Sequence, residues 1–333
     1  MTIIKQALSL VLFTIPFFGI SQYTDVINSN RPGQSVSAYA VGRNVLQVEF
    51  GISNEKQKHK LLETESNFMA ADVSLRYGLL FETLEINLES RYLNESRDYL
   101  NLGTSDKFSN FSRNRIGLKY LVFDPFKDPE KNKPNIYSWK ANHGFKLKNL
   151  IPAVSVYAGA NFTFGDNPFY PNEPSFSPRA MVATQSRVTA RMVLITNFIY
   201  DRIGTDFPEM SYIVSISHAL KNPKWSVFVE NQGIQSDRYS DLIMRAGTAY
   251  LFSENFQMDL HLGANFKNTP SRAFGMLGVS YRWDMHVDKQ TSIEDQEAGK
   301  NGGNIKKSDV KKQRKALKKK NKKKKKDKGV IDF

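Results

Sequence analysis

Between residues 44 and 283 the chain repeatedly sets an apolar side chain at every second position. Leu80, Leu84, Ile86, Leu88 and Tyr92 alternate with Thr83, Glu85, Asn87, Glu89 and Arg91. Phe256, Met258, Leu260, Leu262, Ala264 and Phe266 alternate with Gln257, Asp259, His261 and Asn265. Successive side chains of a strand point to opposite faces, so these runs predict sheets that are greasy on one side and wet on the other. Each run is about ten residues long, the length with which a tilted strand crosses a bilayer. The pattern therefore predicts an all-β fold, a closed antiparallel transmembrane β-barrel spanning 44–283.

Strands are predicted near 44–53, 66–77, 80–92, 111–122, 153–164, 179–187, 191–200, 210–220, 224–233, 242–252, 256–266 and 274–283. That count is even, as a barrel with both ends on one side requires. The tight links Gly78-Leu79, Lys221-Asn222-Pro223 and Ser253-Glu254-Asn255 then share one side, taken as periplasmic, and the longer connections share the other. Parity also makes Val188–Ala190 a turn and 124–152 a periplasmic insertion. Within that insertion, 136–150 reads either as a short helix or as a further strand. Tyr77, Tyr92, Tyr120, Phe123, Phe164, Tyr200, Trp225, Tyr250, Phe252, Phe266 and Trp283 gather near strand ends, where barrels carry aromatic girdles, although rings favour strands in any case.

A mean hydropathy of −0.46 fits this reading, because alternating strands average out. The longest apolar stretch, Ala7–Ile20, follows Lys5, and the small residues Gly19 and Ser21 frame a cut before Gln22. It has the layout of a signal peptide over 1–21, with the mature chain opening on a periplasmic segment, 22–43. The sequence has no cysteine, which excludes disulfides, a lipoprotein anchor and cysteine-based zinc sites. Of the formal charge of +14, the stretch 306–328 carries +13, from 15 Lys or Arg against 2 Asp. The rest is nearly neutral, so a basic chain resolves into a neutral barrel and a cationic tail, 284–333, that cannot bury a core.

Three stretches carry a resemblance. Asn30-Arg31-Pro32-Gly33-Gln34-Ser35 resembles the opening of outer-membrane proteins in the family named "putative meta-pathway of phenol degradation". Trp225–Glu230 resembles that family's late strand with a glutamate. Gly278, Tyr281 and Trp283 look like the terminal signal read by the barrel-assembly machinery, although Trp replaces the usual Phe and about 50 residues follow it. The resemblance implies the outer membrane of a Gram-negative bacterium and passage of aromatic or other apolar compounds. Membrane lipid, lipopolysaccharide and the assembly machinery are the partners that go with it.

Inward positions are rich in charge: Arg76, Glu85, Glu89, Arg91, Arg113, Arg115, Lys119, Arg187, Arg191, Glu230, Arg245, Asp259, His261 and Arg282. They either line an aqueous path and tune which solutes pass, or fill the lumen as mutually satisfied ion pairs. The first use makes the protein a channel for a small solute. A scaffold barrel, tethered by 306–328 to an anionic periplasmic partner, is the second reading; nucleic acid is excluded by compartment. An outer-membrane lipid hydrolase is the third, and it finds little support. None of the five histidines has a serine two residues on, and His261 with Asp259 has no nucleophile beside it. No cofactor or metal set is indicated. The loop Asp166–Pro178, with four prolines and three aromatics, either caps the mouth or forms a rigid surface loop.

Overall fold

The computed structural model describes residues 26–127, 137–138 and 147–285. The signal-peptide stretch, the basic tail and most of the 136–150 alternative lie outside the described residues; Leu147–Leu150 forms a single 3-10 turn. Twelve antiparallel strands close on themselves, each beside its sequence neighbours, with the first paired to the last. They are β1 (Val45–His59), β2 (Thr64–Gly78), β3 (Leu84–Tyr99), β4 (Thr104–Phe123), β5 (Ala153–Phe162) and β6 (Phe176–Arg187). The circuit continues with β7 (Met192–Asp201), β8 (Glu209–Ala219), β9 (Trp225–Ser236), β10 (Asp241–Ser253), β11 (Phe256–Asn265) and β12 (Ser271–Asp284). Register between β1 and β12 runs unbroken from Val45–Asp284 to Lys58–Ser271, which leaves no free edge.

Every predicted strand is present, and Val188–Ala190 is the bend that parity demanded. Two differences are instructive. The third strand begins at Leu84 instead of residue 80, because Leu80 sits in a turn with φ of 44°. The first, third and fourth strands run far past their predicted outer ends, and the first four reach 15, 15, 16 and 20 residues. At roughly 3.4 Å per residue they exceed what a tilted strand needs to span lipid, so the β1–β2 and β3–β4 hairpins stand clear of it. Their outer thirds are polar on both faces, which erases the alternation. Cross-strand pairs hold them instead: Lys58 to Glu65 at 2.7 Å and Ser66 to Glu95 at 2.7 Å. A bulge opposite Arg91 and Tyr92 inserts Ser112, so Phe111 and Ile116 face outward despite their odd spacing.

The outer wall carries the apolar residues. On β1, Phe50 and Ile52 are exposed while Gln47, Glu49 and Ser53 are buried inside. At the end with the short turns, the rings of Trp225, Tyr250, Phe252, Phe256, Tyr281 and Trp283 form a continuous outer chain with centroid spacings from 4.6 to 6.4 Å. Nearer the other end, Tyr92–Phe111 and Phe162–Phe176 stack edge to face at 5.3 and 5.6 Å. Aromatic rings gathered toward both ends of an apolar outer band are what a lipid bilayer selects.

Candidate functional site: an internal arch and the chamber above it

Polar alternation puts carboxylates, amides and guanidinium groups inside the barrel, where each needs a partner. Much of that partner is the chain's own start. Residues 27–41 were expected to lie outside the barrel, in the periplasm; they lie inside it. A strand satisfies its amides with its neighbours, but this irregular segment has none, so its backbone groups turn to wall side chains.

The segment enters where Ile27 N–H donates to the Glu254 carbonyl at 2.8 Å, in the β10–β11 turn. Arg31 then reaches Asp259 with two parallel hydrogen bonds of 3.0 Å. Its guanidinium fits because Gly51 and Gly278 face each other across β1 and β12; a Cβ on Gly278 would lie 2.0 Å from Arg31 Nη2. Further on, Gln34 and Ser35 donate backbone N–H groups to Glu230 at 3.1 and 3.0 Å, and Arg245 flanks the same carboxylate at 3.1 Å. Asn197 holds Val36 both ways, accepting from its N–H at 2.7 Å and donating to its carbonyl at 2.8 Å. Ser37 donates to Gln185 at 2.7 Å.

The return leg meets a triad. Glu85 sits between Arg76, at 3.1 Å, and Lys119, at 2.8 Å, all three essentially unexposed. Lys119 also donates to the carbonyls of Ser37 and Tyr39 at 2.8 and 3.0 Å, and Glu85 accepts the Val41 N–H at 2.9 Å. Arg76 donates to the Asn28 carbonyl at 2.7 Å. The Tyr39 hydroxyl donates to Asp124 at 3.3 Å. Gly42, with φ of 93°, and Asn44, with φ of 58°, turn the chain out of the lumen into β1. The arch fills the barrel at this level: Gln47, Arg76, Glu85, Lys119, Ser155, Asn197, Glu230 and Ser280 have 0% exposure.

Above the arch a cavity of about 560 Å³ extends to the loop residues Phe169, Tyr170, Phe207 and Tyr239. The loop of four prolines therefore folds over the mouth: Arg238 donates to the Pro171 carbonyl at 2.7 Å, and Arg202 grips Glu173 at 2.7 Å while lying over the Tyr170 ring. Glu89, Arg91, Arg113, Arg115, Arg245 and His261 line the cavity, and Arg76, Glu85, Lys119, Glu230 and Asp259 belong to the arch. Arg282 is buried at the turn end against Asn255 at 2.8 Å.

Two sequence-predicted positions differ from the lumen reading. Arg191 is exposed in the β6–β7 turn, since β7 starts only at Met192. Arg187 lies at the end with the short turns, its guanidinium over the rings of Tyr39 and Phe126 at 5.6 and 5.2 Å. His261 and Asp259 share a face without pairing. Asp259 is taken by Arg31, and His261 stands edge-on between Phe228 and Phe274 at 6.1 and 6.2 Å. Among residues not predicted to face the lumen, Arg31, Asn197, Asp201 and Arg179 matter most. The last two sit at inward parity and were legible there; Arg31 lies in no strand and was not.

Closed strand circuit, outer apolar band and polar filled interior together define an outer-membrane-type, channel-like barrel. The chain belongs to the family described as Putative MetA-pathway of phenol degradation, whose model matches residues 29–283 and so includes most of the arch. No curated protein matches the sequence. Among solved structures, it is similar to an outer membrane channel from Pseudomonas putida F1, at 10% identity and TM-score 0.47 over 77% of this chain and 100% of that one. It is also similar to the CymD monoaromatic hydrocarbon channel, at 10% identity and TM-score 0.41 over 81% and 96%. The NanC porin matches at 8% identity and TM-score 0.44 over 70% and 98%.

Proposed function

We propose that this protein passes a small solute across the outer membrane, receiving it in the outer chamber and releasing it past the internal arch. The observation that carries the reading is the 560 Å³ cavity reaching the loop end and stopping at the arch. A chamber of that size falls within the range of small-molecule pockets. The family's description, with its reference to phenol, supports an aromatic solute. The arch is the barrier: solute moves on when Glu230 and Asn197 release it.

Proteoliposome uptake tests the proposal. Vesicles carrying the purified full chain take up small aromatic solutes faster than protein-free vesicles, and exclude sugars such as glucose. Equal uptake with and without protein, for every aromatic solute tried, refutes it. The lysine-rich tail fits a separate role as an electrostatic tether to an anionic periplasmic surface, because 306–328 alone carries +13.

A further inference from the structure

Two walls of the chamber differ in kind. On one side Arg91, Arg113, Arg115 and Arg179 project from β3, β4 and β6. On the other, β7 to β12 present Ile199, Ile213, Ile234, Ile243, Phe274 and Met276.

The arginine wall is incompletely matched. Arg115 reaches Asp201 at 2.6 Å and Glu89 at 3.7 Å, and Arg179 also grips Asp201. Among the described residues, Asp72 is the carboxylate within 4 Å of Arg113 and Arg91, at 3.3 and 3.7 Å, longer than the roughly 2.7–2.9 Å of a good charge-assisted bond. Four guanidinium groups thus face three carboxylates; Arg113 Nε is buried with no hydrogen-bond partner, and so is Asp72 Oδ2, 3.7 Å from Arg91 Nη1. Four other arginines around the chamber are paired, Arg97 with Glu95 at 2.8 Å, Arg202 with Glu173 at 2.7 Å, Arg245 with Glu230 at 3.1 Å and Arg272 with Glu55, whereas Arg238 at the loop end bonds the Pro171 carbonyl and lies over the Phe207 ring. An unmatched buried donor costs free energy until an acceptor arrives. The guanidinium fork is the side chain best shaped to take a carboxylate.

We propose that the chamber binds a small organic anion, with its carboxylate-type head on Arg113 and Arg91 and its apolar ring against the β7–β12 wall. This rests on the reading of the barrel as a solute path, and sharpens it. A neutral arene satisfies only the apolar wall; a small hydrophilic anion satisfies only the arginines. The ligand must carry both parts.

Calorimetric titration of the purified full chain in detergent, with benzoate, benzamide and acetate as probes, tests this at equilibrium and independently of flux. Benzoate binds at least tenfold more tightly than benzamide or acetate, and added salt weakens the two anions while leaving benzamide unchanged. In Arg113→Gln the preference over benzamide collapses, while benzamide binding stays within about twofold. In Met276→Asn, benzoate and benzamide both weaken. Heat-modifiable migration identifies folded variants, and a misfolded Arg113→Gln is replaced by Arg91→Gln. Equal binding of benzoate and benzamide, or undiminished benzoate preference in the folded arginine variants, overturns the inference. Aromatic uptake without carboxylate preference would sink this inference and leave the channel standing. Selective benzoate binding without uptake would do the reverse.

Discussion

Replacing Glu230 by alanine should release the centre of the arch while leaving the barrel closed. The carboxylate accepts backbone N–H groups from Gln34 and Ser35 and pairs with Arg245, with no exposure to solvent. A hydrogen bond to a charged acceptor contributes about 1.5–3 kcal/mol. Stranding a buried partner such as Arg245 costs about 3–5 kcal/mol in all, although water entering from the chamber offsets part of this. A net loss near 3 kcal/mol in the local opening free energy corresponds to about a hundredfold in an equilibrium constant. Hydrogen exchange followed by mass spectrometry reads this directly: amides of residues 31–37 exchange about a hundredfold faster in Glu230→Ala. Strand amides and heat-modifiable migration stay unchanged, because the twelve ladders do not involve this side chain. Glu230→Gln, which keeps an acceptor oxygen without the charge, falls between. If exchange in 31–37 stays within twofold of the native rate, Glu230 does not hold the arch and the reasoning fails.

Other expectations follow from the same geometry. Gly278→Leu drives Arg31 from its slot and leaves the buried Asp259 unpaired, lowering stability by about 3 kcal/mol, read as an earlier heat-modification midpoint. Lys119→Met leaves the Ser37 and Tyr39 carbonyls unserved and Glu85 with Arg76 alone, costing about 2–3 kcal/mol; an unchanged midpoint would show that water replaces the ammonium. Trp283→Asp removes a ring from the outer aromatic chain and slows assembly, with normal insertion kinetics as the contrary result. Deleting 306–328 leaves insertion intact and abolishes binding of the purified protein to anionic vesicles or polymers; failure to insert would contradict that separation.

How far the sequence carried the fold can be traced to particular residues. Alternation is a strong signal wherever one face meets lipid, so Phe256–Asn265 and Leu84–Tyr92 were unmistakable. It vanishes where both faces meet water, which is why the outer parts of β1 to β4 read as loops. Lys56 and Asn67 lie outside there, and Glu95 and Arg97 inside, with no apolar row between them. Leu80 shows the opposite error: an apolar residue in phase with a strand, yet placed in a left-handed turn.

The interior was legible only by class. Inward parity located Glu85, Lys119, Glu230 and Asp259, but not their partners, because those partners sit up to 228 positions away, as Arg31 does from Asp259. The motif Asn30–Ser35 was noticed as a resemblance, and its chemistry became apparent only in three dimensions. Arg31 needs the paired glycines of β1 and β12, and Gln34 and Ser35 need Glu230. Gly278 was first read as part of a terminal assembly signal; its missing side chain is also what admits Arg31.

If solute crosses only when the arch yields, a reversible lock on the arch must start and stop uptake. The native chain has no cysteine, so Val36→Cys with Asn197→Cys introduces a single bridge at the point where the arch is held from both sides. In proteoliposomes, aromatic uptake should stop on oxidation and return on reduction. Uptake that continues at the same rate with the bridge closed would contradict the claim.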